Sequence, residues 1–150
     1  MEIFIGADHR GVEFKSKIKD IIKRLGYTVT DLGTESTESC DYPVIAQKVA
    51  NAVVRTNDGR GILVCMSGIG QSIAANKVRG ILAALCYNAE AAKLSRQHNN
   101  ANVLVLSAKF VKPDELEEIL KVWLSTGFEG GRHERRIKLI RDIEEGKLLH

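Results

Sequence analysis

The chain contains few cysteines and prolines. Its 150 residues include three cysteines and two prolines. An odd number of cysteines without a Cys-x-x-Cys pair argues against a disulfide framework and for a reducing compartment. The cysteines and histidines show no clustered spacing of the kind that predicts a zinc site. Because proline is scarce and low-complexity sequence is lacking, we expect no long disordered segment.

Signals for export, membrane insertion and nucleic-acid binding are also missing. No apolar run reaches the roughly 18 residues that a membrane span needs. Residues 1–5 lack the basic start and apolar stretch of a signal peptide. The net charge of +3, from 22 basic and 19 acidic residues, is too small to favour nucleic acid or a membrane surface as partner. We therefore expect a cytoplasmic protein.

The sequence does contain short apolar runs that alternate with amphipathic segments. The runs predict strands at residues 3–5, 27–32, 61–66, 81–86 and 102–106. Helical spacing of apolar residues predicts helices at 14–25, 43–53, 71–78, 88–97 and 113–124, and a last helix after residues 130–131, whereas residues 33–42 are predicted to be a loop. The length suits one domain, residues 1–150. Together these features predict a three-layer α/β/α, Rossmann-like fold around a five-stranded parallel sheet.

In such sheets, ligands bind beyond the carboxyl ends of the strands. Three predicted strand ends carry polar or reactive side chains. Asp8 and His9 follow the first strand, residues 65–70 follow the third, and residues 107–109 follow the fifth. These ends are the places where we expect a functional site.

The segment at residues 65–70 reads Cys-Met-Ser-Gly-Ile-Gly and joins a strand to a helix. Glycines allow a sharp turn that presents N–H groups to an anion, and the helix dipole adds to their field. We expect this field to favour the thiolate of Cys65. A thiolate beside such donors can remove a proton next to a carbonyl and stabilise the enediolate. The alternative is a cysteine that only fills the core, which we predict for Cys40 and Cys86.

Three other groups of residues each have a functional and a structural interpretation. Asp8 and His9 could bind sugar hydroxyls or phosphate, or Asp8 could only cap the first helix. His98 could exchange a proton near neutral pH, or it could be a surface loop histidine. Arg132 and Arg136 lie four residues apart and could clamp a phosphate, or they could belong to a solvated charged face.

Taken together, these motifs resemble the type B ribose-5-phosphate isomerases of the ribose/galactose isomerase family. The resemblance runs over nearly the whole chain. It rests on Asp8-His9, on Cys65-x-Ser67-Gly68-x-Gly70, on residues 98–102, on residues 130–136, and also on residues 41–43 and 72–77.

The resemblance implies interconversion of D-ribose 5-phosphate and D-ribulose 5-phosphate, a step of the pentose phosphate pathway, without a metal or other cofactor. It implies that Cys65 is the base that moves a proton between C1 and C2. It also implies that His98 opens the sugar ring and that Ser67 assists at the sugar oxygens.

The resemblance further implies a set of substrate-binding residues. The turn at residues 66–70 would hold the enediolate, and Arg132 and Arg136 would hold the phosphate. The full set of binding positions is Asp8, His9, Met66, Ser67, Gly68, Ile69, Gly70, Asn99, Lys109, Arg132 and Arg136. The chain departs from the family pattern at Met66, where glycine is common, and at Lys109, where arginine is frequent. Gln71 stands where members that lack the cysteine have glutamate, so this chain is of the cysteine type.

The resemblance also implies a homodimer, or a dimer of dimers, whose active sites are shared between chains. Three alternatives to the ribose 5-phosphate reaction stay open at this point. The first is an isomerase of allose 6-phosphate or galactose 6-phosphate, and the second is a non-catalytic module that binds a phosphorylated sugar. The third, a thiol redox protein, is disfavoured because Cys65 has no second cysteine in a Cys-x-x-Cys motif.

Overall fold

The computed structural model describes residues 1–36 and 38–150. Position 37, in the predicted loop at 33–42, lies outside the described residues. The strands are β1 (Glu2–Ala7), β2 (Val29–Asp31), β3 (Gly59–Cys65), β4 (Ala83–Leu85) and β5 (Val103–Ser107). They form one sheet in the order β2-β1-β3-β5-β4, and every pairing is parallel. The predicted five-stranded parallel sheet is confirmed.

Helices connect these strands and cover both faces of the sheet. They are α1 (Val12–Arg24), α2 (Tyr42–Arg55), α3 (Ile69–Asn76), α4 (Ala89–Gln97), α5 (Leu116–Ser125) and α6 (Arg132–Glu144). Their ends differ from the predicted ones by one or two residues, except that α5 is preceded by a separate 3-10 turn at Pro113–Glu115. None of the helices in the described part of the chain is long and apolar enough to cross a membrane.

The two faces of the sheet carry separate apolar cores. Neighbouring residues of a strand point to opposite faces, so Ile62 packs with Trp123 in the core on the side of α1, α4 and α5. Leu63 packs with Val49 in the core on the side of α2 and α3. Because both faces are buried, the central strands are apolar throughout, and the prediction of a three-layer fold is confirmed.

The parallel arrangement gives the sheet two chemically different edges. At the carboxyl edge, Cys65 of β3 is paired with Ser107 of β5. Helix α4 leaves β4 near this edge and runs back to the start of β5, so His98, which follows α4, lies near the amino edge. The seven residues of β3 separate the two edges by about 20 Å at about 3.3 Å per residue.

Candidate active site

A cavity of about 400 Å³ opens at the carboxyl edge, beside the end of β3. We call it the carboxyl-edge cavity. It is lined by Asp8, His9 and Arg10 after β1, by Cys65, Met66, Ser67 and Gly70 after β3, and by Ser39, Cys40 and Tyr42 before and at the start of α2. The structure thus brings the predicted residues that follow β1 together with those that follow β3.

The thiol of Cys65 lies at the inner end of this cavity and is only 6% exposed. Its Sγ accepts a hydrogen bond from the N–H of Gly68 at 3.2 Å. Burial raises the pKa of the Cys65 thiol, the negative charge of Asp8 acts in the same direction, and the Gly68 N–H opposes them. The backbone donors of the glycine turn thus favour the thiolate, as expected, but in the chain on its own burial outweighs them.

The backbone conformation of Gly68 places its N–H against the sulfur. Gly68 has φ +85°, and a Cβ at this position would lie 2.5 Å from Cδ1 of Leu85. Only glycine fits both the left-handed conformation and the space. The neighbouring Ser67 accepts the N–H of Ile69 through its Oγ at 3.2 Å. The hydrogen of the Ser67 hydroxyl is therefore free to be donated to a ligand.

Residues at the end of β5 hold the turn in place. The carbonyl of Met66 accepts the hydroxyl of Ser107 at 2.6 Å and the N–H of Lys109 at 3.1 Å. The side chain of Met66 is exposed and lines the cavity. Lys109 supports the turn through its backbone, whereas its Nζ lies 5.4 Å from the ring centroid of Phe110. The predicted substrate contact of the Lys109 side chain stays a prediction.

Asp8 and His9 shape the opposite wall of the cavity. Asp8 is buried, and its carboxylate accepts the N–H of Arg10 at 3.0 Å, which caps the turn at His9–Gly11. The structural and functional interpretations of Asp8 are therefore compatible. Nδ1 of His9 accepts the N–H of Cys40 at 3.2 Å, so the neutral ring carries its hydrogen on Nε2 and can donate it to a ligand oxygen.

The sequence interpretation gave no site role to four residues that line the cavity, namely Arg10, Ser39, Cys40 and Tyr42. Tyr42 packs so closely on Gly70 that a Cβ there would lie 2.5 Å from the ring. Cys40, predicted to be structural, lines the cavity with Sγ 3.9 Å from Nδ1 of His9. The match at residues 41–43 was the only signal for this segment. Cys86, the third cysteine, is buried, and burial raises its pKa to about 11.

A second group of predicted residues lies together near the amino edge. The rings of His98 and His133 stack with centroids 4.2 Å apart and an interplanar angle of 10°. Oε2 of Glu129 lies 3.7 Å from Nε2 of His133. Burial, followed by the nearby positive charges of His98 and Arg132, lowers the pKa of His133. We call the six residues His98, Asn99, Glu129, Arg132, His133 and Arg136 the amino-edge cluster.

One chain does not bring the amino-edge cluster to Cys65. None of its six residues lines the carboxyl-edge cavity, and the length of β3 separates the two groups. Asn99, Arg132 and Arg136 are exposed and His98 is half-buried, so these side chains remain accessible to a second molecule. His133 and Glu129 had no assigned role in the sequence analysis, although both lie in or beside the motif at residues 130–136.

Three members of the amino-edge cluster have the chemistry of metal ligands. Ligand atoms of His98, Glu129 and His133 lie within 4.8 Å of one another, and imidazole and carboxylate groups are common zinc ligands. The sequence prediction of a reaction without a metal stays a prediction.

Comparison with known proteins decides the family. Residues 3–140 match the sequence model of the family described as Ribose/Galactose Isomerase. The chain belongs to this family. It is 42% identical over 144 residues to ribose-5-phosphate isomerase B of Escherichia coli, a match that covers 96% of the chain and 97% of the relative. The predicted resemblance to the type B enzymes, and with it the prediction of an enzyme, is confirmed.

Solved structures of family members share the fold closely. Ribose-5-phosphate isomerase B of Clostridium thermocellum is 48% identical with a TM-score of 0.93, and the match covers 97% of this chain and 99% of that one. The enzyme of Mycoplasma genitalium, solved with bound ribulose-5-phosphate, is 44% identical with a TM-score of 0.91, over 96% of each chain.

Proposed function

We propose that the chain interconverts D-ribose 5-phosphate and D-ribulose 5-phosphate. The observation that carries the proposal is the Cys65 thiol, which lies at the end of β3 against the Gly68 N–H and shares a cavity with Asp8 and His9. This arrangement provides a base, backbone donors and sugar-binding groups in one place. The substrate assignment is supported by the relative solved with ribulose-5-phosphate.

The reaction begins with ring opening and continues with one proton transfer between carbons. His98 donates a proton to the ring oxygen as the bond between this oxygen and C1 breaks, and the anomeric hydroxyl gives its proton to solvent, which leaves the open-chain aldose with a carbonyl at C1. The thiolate of Cys65 removes the proton from C2 and returns it to C1 of the resulting cis-enediolate. The oxygen on C2 loses a proton and the oxygen on C1 gains one, and we assign this transfer to the hydroxyl of Ser67, which lines the cavity with Cys65.

Gln71 supports the assignment of Cys65 as the base. Its side chain is fully buried and carries no carboxylate, so position 71 cannot supply a base. Gln71 also lies in the first turn of α3, where backbone N–H groups have no partner within the helix. The N–H of Gly68 already donates to Cys65 and that of Ile69 to Ser67, so the N–H groups of Gly70 and Gln71 are the suitable anion hole for the enediolate oxygen.

The active site requires a second copy of the chain. We propose a homodimer in which Cys65 of one chain works with His98, Asn99, Arg132 and Arg136 of its partner, because one chain holds these groups at opposite edges of the sheet. Apolar side chains on α2 and α3, namely Val44, Ile69 and Ile73, are 63%, 51% and 58% exposed. An uncovered apolar face of this kind is typical of a protein interface.

The phosphate of the sugar would bind to Arg132 and Arg136, whose guanidinium groups match phosphate oxygens in geometry and charge. The distance from these two arginines to Cys65 then determines how many carbons the substrate can have between its phosphate and its reacting carbons. Met66 projects into the cavity beside the base, which favours a five-carbon over a six-carbon sugar.

Replacement of Cys65 by serine tests the proposal. We expect kcat for ribose 5-phosphate to fall by about a thousandfold or more, since general bases contribute about 10²–10⁴. Cys86→Ala is the matched control, because this cysteine is buried away from the cavity, and it should retain most of the activity. Binding of ribulose 5-phosphate should survive in Cys65→Ser. Unchanged turnover in Cys65→Ser would rule out the thiol base.

Comparison of substrates tests the assignment to the pentose. We expect kcat/KM for ribose 5-phosphate to exceed that for allose 6-phosphate or galactose 6-phosphate by about tenfold or more, since one poorly accommodated carbon unit costs about 1–3 kcal/mol. A higher value for either hexose phosphate would overturn the substrate assignment.

Full activity in the presence of a chelator is the expected result for a metal-free reaction.

A further inference from the structure

A polar cavity of about 330 Å³ at the amino edge is separate from every residue assigned to the reaction. Three arginines from three elements line it. Arg60 stands at the start of β3, Arg96 near the end of α4, and Arg141 near the end of α6. Asp58 is the only carboxylate among the lining residues. The cavity therefore has an excess of positive charge.

Arg60 is the central group of this cavity and is poorly compensated. Its side chain is 13% exposed, and its Nη1 is buried with no hydrogen-bond partner. The nearest carboxylate, that of the exposed Asp58, lies 3.8 Å from Nη2 and also 3.6 Å from the amino group of Met1. The guanidinium carbon lies 5.6 Å from the ring centroid of Trp123. A buried donor of a charged group without an acceptor is costly, so a negative charge close to the guanidinium would offset part of this cost.

Arg96 adds a second buried guanidinium that is fixed in position. It is 3% exposed and donates to the carbonyls of Thr126 at 3.2 Å and Ala101 at 2.6 Å. These acceptors are neutral, so they hold the group without cancelling its charge. Burial, followed by the positive charge of Arg60, lowers the pKa of Arg96 to about 10. The two guanidinium groups therefore repel each other.

We propose that this cavity binds an oxyanion of phosphate size, either free phosphate or the phosphoryl group of a small metabolite. Guanidinium groups bind phosphate oxygens through paired charge-assisted hydrogen bonds. A bound anion would accept from Nη2 of Arg60, which unlike Nη1 is not buried, and it would offset the repulsion from Arg96. The exposed Arg141 would close the site from α6.

The site is distinct from the phosphate clamp of the proposed reaction. Arg141 follows Arg132 by nine residues on α6, which corresponds to about 13 Å along the helix. Arg136 does not line the polar cavity. Binding at the two places can therefore be separated by substitution.

Titration of the full-length protein with inorganic phosphate, followed by amide chemical shifts, tests the proposal. We expect the amides of Gly59 and Gly80 to shift with saturation, independently of those of Met66 and Gly70. Arg60→Gln should weaken binding at Gly59 and Gly80 by about tenfold or more. Arg60→Met keeps the apolar contact with Trp123 and should weaken binding by a similar factor. Because this variant is expected to stay folded, weaker binding in it reports the loss of the guanidinium donor and not a loss of folding.

Arg55→Gln is the matched control, because it removes one nearby exposed positive charge that does not line the cavity. It should change the affinity less than twofold, and Arg136→Gln should leave the shifts of Gly59 and Gly80 unchanged. A parallel titration with glycerol 3-phosphate tests the source of the anion. Tighter binding of glycerol 3-phosphate than of inorganic phosphate indicates a phosphate ester, and the reverse indicates free phosphate. Absence of shifts at Gly59 and Gly80, or equal losses in Arg55→Gln and Arg60→Gln, would overturn the proposal.

Discussion

The left-handed backbone conformation of Gly68 positions its N–H to donate to Sγ of Cys65. We expect Gly68→Ala to lower the free energy of unfolding by about 2–5 kcal/mol, because left-handed strain of about 1–2 kcal/mol adds to overpacking of about 1–3 kcal/mol against Leu85. The N–H would also move away from Sγ, so kcat/KM should fall. Chemical denaturation and steady-state kinetics measure the two effects.

Gly26 provides the matched control for this prediction. It has φ +92°, and no atom lies within 4 Å of a Cβ built there. Gly26→Ala therefore carries the left-handed strain without the collision, and it should cost about 1–2 kcal/mol with no loss of activity. Equal effects of the two substitutions on kcat/KM would contradict the role assigned to Gly68.

The protonation of Cys65 gives a second prediction for a single residue. Since burial raises the pKa of this thiol, the thiolate fraction in the substrate-free protein should still be rising above about pH 8.5, the ordinary thiol value. The rate of alkylation at Cys65, followed by peptide mass spectrometry, should increase through this range. A plateau reached well below pH 8 would show instead that the backbone donors of the turn outweigh burial.

For single residues, the sequence predicted where a side chain lies in the fold better than how buried it is and what it contacts. Asp8, His9 and Cys65 were placed correctly at strand ends, because that rule depends only on the order of elements. The sequence predicted the effect of the turn on the Cys65 pKa but not the larger effect of burial, since burial depends on how much of the chain covers the sulfur. Tyr42 was missed because its contact with Gly70 joins two segments that are distant in sequence.

Among the elements, an ion-paired group joins α1 to the end of β2. Nζ of Lys15 lies 2.8 Å from Oδ1 of Asp31, and Nζ of Lys19 lies 2.9 Å from Oδ2. Lys15 is 3% exposed and also donates to the carbonyl of Thr34 at 2.6 Å. Burial acts to raise the pKa of Asp31, but the hydrogen bonds from Lys15 and Lys19 outweigh it, and the pKa lies below its ordinary value.

We expect Asp31→Asn to lower the free energy of unfolding by about 2–4 kcal/mol, because it leaves Lys15 buried without a counter-charge. A carboxyl with a lowered pKa stabilises the fold above its unfolded pKa, and this contribution is lost as the pH falls through the folded pKa. The stability of the unsubstituted protein should therefore decline more steeply below about pH 4 than that of Asp31→Asn. Urea denaturation at several pH values measures both effects.

The exposed pair between Arg24 and Glu117, 2.7 Å apart, is the control for this prediction. Glu117→Gln should cost less than about 1 kcal/mol, since exposed ion pairs contribute little. A cost for Asp31→Asn no greater than that for Glu117→Gln would contradict the role assigned to the buried group.

At the scale of elements, local patterns predicted the five strands and six α-helices of the described residues, but not the 3-10 turns at His9–Gly11 and Pro113–Glu115. The order of strands in the sheet was not predicted, since no local pattern states which strands are neighbours. The position of His98 follows from the topology: a helix that connects parallel strands must return to the amino edge. The sequence named His98 and Cys65 as partners, and the fold of one chain separates them.

For the whole molecule, this separation is the physical argument for the proposed dimer. In that dimer, a chain with the proposed base at one edge and the proposed ring-opening acid at the other would complete both sites by pairing with a second copy in a two-fold arrangement. The sequence implied a shared site only through its resemblance to a family. The structure adds a physical reason, which is the distance of about 20 Å between the edges of the sheet.

Complementation between two inactive variants tests this account most directly. Cys65→Ala and His98→Asn are each expected to be inactive alone, because every site lacks one group. When the two are co-expressed and subunits assort at random, half of the dimers are mixed, and each mixed dimer has one intact site. The account predicts recovery of about one quarter of the unsubstituted activity per site. No recovery in verified mixed dimers would show that Cys65 and His98 act within one chain, which would contradict the shared site.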